Sequence, residues 1–189
     1  LWNSWYESGQ KESESTYKDG KKEGLETQWH KNGQKKLEVS VKDGKKEGLM
    51  TMWYFGGQKK AEVNFKGDIK NGFRTDWHMN GQKKSELNYK DDKSEGLYTE
   101  WRDTGEKYYE INHKDGERNG LDICWHKNGQ KMREGINKDD KSEGLYTEWR
   151  DTGEKKSETN YDYGYSEGLY TSWYSNGQKM LEVTKKGGN

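Results

Sequence analysis

Tryptophan returns every 24 residues along this chain, at Trp5, Trp29, Trp53, Trp77, Trp101, Trp125, Trp149 and Trp173. A fixed period in this range means stacked copies of one small supersecondary unit, each resting on its neighbours. Gly24, Gly48, Gly72, Gly96, Gly120, Gly144 and Gly168 keep the same beat and mark one turn, while Gly33, Gly57, Gly81, Gly105, Gly129, Gly153 and Gly177 mark another. Lys11 recurs unchanged in all eight copies, and so does Glu14, giving the row Glu38, Glu62, Glu86, Glu110, Glu134 and Glu158 onward. Positions within a repeat are counted here from 1 to 24, with Leu1, Leu25 and Leu49 at position 1.

Composition would otherwise point away from a folded domain. Only 26% of residues are apolar, against about 45–50% in ordinary domains. Two features oppose disorder: net charge is zero, and the 13% of aromatic residues sit at fixed positions, so a thin core of Trp and Tyr is expected. Balanced charge gives no basis for nucleic-acid binding or an anionic membrane surface. Cys124 is the single cysteine, which excludes an internal disulfide. No window approaches the roughly 20 apolar residues of a membrane-spanning helix. The sequence opens at position 1 of a repeat, without an initiator Met, and stops at Asn189 inside a turn. It therefore reads as a segment of a longer protein, with no compartment implied.

Two alternating runs flank Asn32-Gly33 in each copy, which signals a β-hairpin, and the absence of proline leaves strand pairing uninterrupted. A three-residue loop with Gly33 left-handed in a bulge pairs His30 with Gln34. Continued from there, this register sets position 1 opposite 15 (Leu25–Val39, Leu49–Val63, Phe73–Leu87), 3 opposite 13, 4 opposite 12, 5 opposite 11, and 14 opposite 2. Each Trp then lies beside a Lys, whose stem covers the indole, with the aliphatic pairs on the same face. The expected fold is all-β: about eight antiparallel hairpins in one elongated, twisted sheet, a solenoid-like meander. Repeat boundaries fall near 24, 48, 72, 96, 120, 144 and 168 in one continuous array over 1–189. Sixteen strands at about 4.8 Å spacing would extend about 75 Å.

The Tyr17, Gly20, Gly24, Trp29 spacing, repeated as Tyr161, Gly164, Gly168, Trp173, resembles the MORN repeat family. With its Asn-Gly-Gln-Lys turn and following Glu, the chain is most similar to the bacterial variant of that repeat, over its whole length. The resemblance implies β-hairpin arrays used for protein contacts, scaffolding and sometimes lipid contact, and some bacterial relatives are described as antitoxins. The chain lacks the small Gly-x-Gly strand start of the eukaryotic pattern, which argues against lipid contact.

No catalytic, metal or cofactor site is expected. His30, His78 and His126 stand four strands apart, about 19 Å, whereas zinc ligands sit about 2 Å from one ion. The expected register puts the Glu row opposite a position that changes from copy to copy, so a structural Glu is preferred to a catalytic one; the Trp row is likewise structural. His113 and Cys124 are expected to pack. The segment Lys90–Lys107 repeats identically as Lys138–Lys155, a duplicated block. The functional expectation is a non-enzymatic scaffold that binds a protein partner or joins end to end with itself. The alternatives are an antitoxin or immunity protein that binds a toxin, and an aromatic repeat that binds a glycan. Candidate partner-binding residues, on the face opposite Trp, are Tyr54, Tyr98, Tyr146, Tyr170, Tyr174, Met50 and Met52.

Overall fold

The computed structural model describes residues 1–187, and among them there is no helix. The chain forms two compact units, Leu1–Lys93 and Ser94–Asn189. In the first, eight strands from Trp2–Trp5 to Lys83–Lys90 follow one another as antiparallel neighbours, and a small ribbon of Tyr17–Lys18 with Lys21–Lys22 completes the first repeat. In the second, eight strands from Lys93–Trp101 to Lys179–Lys185 do the same. Each unit is thus an open meander of hairpins, as the repeat pattern predicts.

Two kinds of turn make the meander. At the first, His30 N–H donates to Gln34 O at 2.8 Å and Gly33 N–H to His30 O at 2.9 Å, with Gly33 at φ 85°. This is the three-residue bulged loop expected from Asn32-Gly33. At the second, both central residues are left-handed (Asp43 φ 52°, Gly44 φ 83°), the two-residue turn whose twist suits a hairpin. Two copies carry Asp-Asp there, Asp91-Asp92 and Asp139-Asp140, and the previous repeat holds them in place. The Asp92 carboxylate accepts the Lys70 backbone N–H at 2.8 Å, and that of Asp140 accepts the Arg118 backbone N–H at 3.0 Å.

The register beyond the first turn departs from expectation. Trp29 does pair with Lys35, but Gln28 then pairs with Leu37, so Lys36 is an extra residue on the returning strand. A one-residue shift sends every later side chain to the other face. Position 2 therefore opposes 15 (Glu26–Val39, Met50–Val63), 4 opposes 13, and 14 opposes 3. The expected pairs Leu25–Val39 and Leu49–Val63 do not form; Leu25 pairs with Ser40 and Leu49 with Asn64. The same bulge recurs in every described hairpin closed by the first kind of turn, for example between Cys124 and Trp125 and between Ser172 and Trp173. The residue pattern misled because a bulge adds a residue without changing the residue types around it.

Two faces of different character result. On the outer face stand Trp, Lys, Thr, Glu and the position-1 Leu. Each Lys pairs with the Glu three residues on, as Lys59–Glu62 does at 2.6 Å and Lys83–Glu86 at 3.2 Å. The same ammonium lies over the indole of the next repeat: Lys11 over Trp29 at 5.4 Å, Lys35 over Trp53 at 5.7 Å, Lys107 over Trp125 at 5.9 Å. Such contacts contribute about 0.5–1 kcal/mol each at exposed sites, modest singly but repeated along the array. The Glu row faces position 3, which is Thr in most copies and Asn3 or Ile123 in the others. Glu38 lies between Thr27 and Thr51, and Glu62 between Thr51 and Thr75. The aliphatic core is on the inner face, where positions 2, 4, 13, 15 and 17 meet; in the first unit Val39, Val41, Met50, Val63 and Phe65 form it.

Candidate interaction face

The inner-face positions carry different chemistry in the two units. In the first they hold an aliphatic cluster, with Leu37 and Met52 packed against Val39–Phe65, and beside it the Lys22–Glu26 and Arg74–Asp76 ion pairs at 2.8 and 2.7 Å. Lysines lie over the aromatic rings at the margin, Lys46 over Phe65 at 5.1 Å and Lys70 over Tyr89 at 4.9 Å. In the second unit the same positions hold Tyr98, Tyr109, His113, Asp122, Arg133 and Asn137, with Ile111 among them.

Asp122 is the centre of that face. It is 2% exposed, and a buried carboxylate survives only if paired and hydrogen-bonded. Three donors satisfy it: Arg133 at 2.9 Å, the Asn137 side-chain amide at 3.0 Å and the Tyr109 hydroxyl at 3.2 Å. Strand pairing delivers them. Asp122 stands opposite Ile111 on one side and Gly135 on the other, so Tyr109, Arg133 and Asn137 are two residues along on the flanking strands. Burial raises the Tyr109 hydroxyl above its ordinary range, and the neighbouring Asp122 charge adds to this. Burial disfavours the Arg133 cation, but the hydrogen bond to Asp122 overrides it and leaves its pKa raised. Burial also raises the Cys124 thiol, which is packed and buried. His113 is pushed down by burial and meets Tyr98 edge-on, with ring centroids 6.3 Å apart.

Gly135 occupies a position filled by Val39, Val63, Leu87 or Ile111 in other copies. Tyr146 fills the missing volume. A Cβ on Gly135 would sit 2.4 Å from the Tyr146 ring, and the Tyr146 hydroxyl donates to Ile136 O at 2.9 Å. Tyr161 packs against Tyr146 at 5.1 Å, and Lys185 lies over Tyr170 at 4.5 Å. Beside them opens a cleft of about 350 Å³, lined by Arg133, Tyr146, Glu148, Tyr161, Tyr170 and Lys185 with the hydroxyls of Ser142, Ser157 and Thr159. A second cleft of about 400 Å³, towards the first turns, is lined by His126, Met132, Arg133, Glu148, Arg150 and Lys156, among others. This arrangement can hold a polar, hydrogen-bonding surface against aromatic edges. No group of three or more His, Cys, Asp or Glu among the described residues could hold a metal ion, and no helix is long and apolar enough to cross a membrane.

The sequence-derived candidates are distributed across these features. Tyr98, Tyr146 and Tyr170 share the inner face of the second unit, Tyr146 buried and the other two half-buried. Met50 is buried in the aliphatic face of the first unit, and Met52 packs on it. Tyr54 stands where the first turn begins and donates its hydroxyl to Trp77 O of the next repeat at 2.8 Å, beneath Lys60. Tyr6, His30, Arg102, His126 and Arg150 make the same link to the following Trp carbonyl. Tyr174, at the same position, is exposed. Sequence reasoning missed Asp122, Arg133, Tyr109, Asn137 and Tyr161. Their signal was variation within the repeat: position 2 takes Glu26, Met50, Arg74 and Asp122, position 13 takes Leu37, Ala61, Ser85 and Arg133, and Gly135 stands where Val39, Val63, Leu87 or Ile111 stands in other copies.

Comparison with protein families finds the MORN repeat variant matching residues 1–19, 22–43, 46–66 and 166–184. The stretch between the last two matches keeps the Trp, Lys and Glu beat and contains the Asp122 cluster. Comparison with curated proteins finds no match.

Proposed function

This chain is a MORN-variant repeat protein, and on that premise we propose that it is a non-enzymatic repeat scaffold that binds a protein through the inner face of its second unit. The observation that carries this reading is the contrast between constant and variable surfaces. The Trp–Lys–Glu–Thr lattice recurs in both units and maintains the fold. The inner face is free to vary, and in the second unit it departs from an aliphatic core to a Tyr-rich, hydroxyl-lined cleft. Tyrosine and arginine are the residues that protein interfaces favour, with two rotatable side-chain angles and both apolar and polar contact in the case of Tyr. MORN repeats suit scaffolding and interaction and are generally non-catalytic. The raised thiol of Cys124 is consistent with that reading.

The test is capture with the cleft intact and altered. The wild-type chain and Tyr170→Ala/Lys185→Ala are used as baits beside Tyr54→Phe as a control. A protein retained by wild type and the control at equal strength, lost at least tenfold by the cleft variant, and then bound directly as a purified component supports the proposal. Binding of purified oligosaccharides by wild type alone would assign the cleft to a glycan instead. Turnover of any bound ligand would end the non-enzymatic reading.

A further inference from the structure

The inner face of the second unit carries more cations than its own carboxylates engage. The two clefts meet at Arg133 and Glu148, which line both. Four cations border them, Arg133, Arg150, Lys156 and Lys185, against two carboxylates, Glu148 and Asp151. Even with the buried Asp122 counted, the cations exceed the carboxylates. Glu148 is already engaged: it pairs with Lys156 at 3.0 Å and accepts the Ser157 hydroxyl at 3.2 Å. Arg133 gives one Nη2 bond to Asp122 beneath it, yet its side chain is still 37% exposed, and a guanidinium has five N–H groups to give. Arg150 and Lys185 make no ion pair among the described residues.

These two unpaired cations are held in place. Arg150 Nη2 donates to Trp173 O at 2.8 Å, and the Lys185 ammonium rests over the Tyr170 ring at 4.5 Å. A cation already positioned loses less side-chain freedom on meeting an anion than a mobile one does. Resting on the reading that a protein enters this face, we infer that the entering segment is acidic, with Asp or Glu carboxylates that reach Arg150, Arg133 and Lys185. A carboxylate matches a guanidinium with two parallel hydrogen bonds, so the face supplies the donors and the partner the acceptors. Nucleic acid fits less well. Its phosphates follow one another without interruption, and Glu148 and Asp151, standing among the cations, repel such a chain. Separate carboxylates on a peptide can avoid them.

Fluorescence polarisation of the full chain tests this with two fluorescein-labelled octapeptides, one of alternating Glu and Ser and one of alternating Gln and Ser. In 20 mM NaCl the Glu peptide should bind at least tenfold more tightly than the Gln peptide. In 200 mM NaCl it should bind at least threefold more weakly, because salt screens exposed ion pairs. Arg150→Gln/Lys185→Gln should weaken it at least tenfold, and Arg150→Lys/Lys185→Arg should stay within threefold of wild type. Circular dichroism confirms that each variant retains its strands. Should the double variant fail to fold, Lys185→Gln and the peptide pair decide. Equal binding of the two peptides, binding of neither up to 1 mM, or Glu-peptide binding indifferent to the Gln substitutions overturns the inference. So does tighter binding of a labelled thymidine octanucleotide, which would assign the groove to nucleic acid. None of these results by itself removes protein binding by the cleft, which falls when no protein is retained by wild type and lost by Tyr170→Ala/Lys185→Ala.

Discussion

The two units share one hairpin and differ in what the hairpin encloses. In the first, Val39, Met50, Val63 and Phe65 form an apolar cluster, with Glu26 and Arg74 at its margin paired to Lys22 and Asp76. In the second, Asp122 occupies the same kind of position and needs Arg133, Asn137 and Tyr109 around it. The outer lattice is the same in both: Lys35–Glu38 in the first unit matches Lys131–Glu134 in the second. A repeat whose constant contacts lie on one face can therefore change the chemistry of the other without changing its backbone. The aliphatic version tolerates small errors of packing, whereas the polar version is all-or-none, because a partly satisfied buried network costs more than an apolar one.

The strongest way to break the comparison is Asp122→Ala, which removes the shared acceptor of Arg133, Asn137 and Tyr109. It should cost about 2–3 kcal/mol, below the cost of breaking a fully buried pair because the Arg133 side chain is 37% exposed, read by urea unfolding with a fluorescence probe in the second unit. Asp122→Leu with Arg133→Met should recover most of that loss, because an apolar pair of similar volume replaces a buried ion pair at little cost. The matching truncation in the first unit, Met50→Ala, should cost about 2–3 kcal/mol, near the low end for a buried Met. No compensating second substitution is then needed.

Gly135→Ala sharpens the contrast at one position. The added methyl meets the Tyr146 ring, and overpacking of this kind costs about 1–3 kcal/mol. At the equivalent Val39 and Val63, each 2% exposed in the first unit, a larger side chain is already accommodated.

Alkaline titration separates the units next. The Tyr109 hydroxyl is raised above its ordinary value of 10.0. Its contribution to stability is therefore complete below pH 10 and is lost as pH rises from there towards the folded value. The second unit should lose stability above pH 10, and Tyr109→Phe should flatten that slope, as measured by thermal melts between pH 8 and 11. An unchanged slope in the variant would remove Tyr109 from the account.

The smallest expected effect tests what the units have in common. His30 Nε2 lies 3.1 Å from Trp53 O, and His126 Nε2 lies 2.9 Å from Trp149 O. His30→Ala and His126→Ala should each cost about 0.5–1.5 kcal/mol and by similar amounts, since this link belongs to the constant part of the repeat. A larger loss at His126 than at His30, which also meets the Phe55 ring edge-on at 5.4 Å, would show that the second unit's polar face reaches into its turns.

The repeat, the hairpins, both turns and the Trp–Lys pairing were legible because each rests on local residue types: Asn-Gly for the bulged loop, Asp-Gly for the tight one, and a fixed beat for the stacking. The candidate face was legible only in part. Tyr98, Tyr146 and Tyr170 stood out by residue type. Asp122 and Arg133, eleven residues apart, met only through a register that the sequence does not encode locally. The unpaired Lys36 and its counterparts, Lys60, Tyr108 and Met132 among them, carry ordinary strand side chains, yet they decide which face every later side chain joins.

The duplicated segment marks the boundary between the two sources of information. Lys90–Lys107 and Lys138–Lys155 are identical residue for residue, and sequence alone determined that both become a tight turn, a strand ending in Trp and the start of a bulged loop. What surrounds them was decided by tertiary structure. Tyr98 reaches Glu100 at 3.1 Å and touches the rings of Tyr109 and His113. Its twin Tyr146 lies buried over Gly135, with its hydroxyl on Ile136 O. Backbone conformation follows from residues near in sequence, whereas burial and hydrogen bonding depend on the strands that pairing brings alongside.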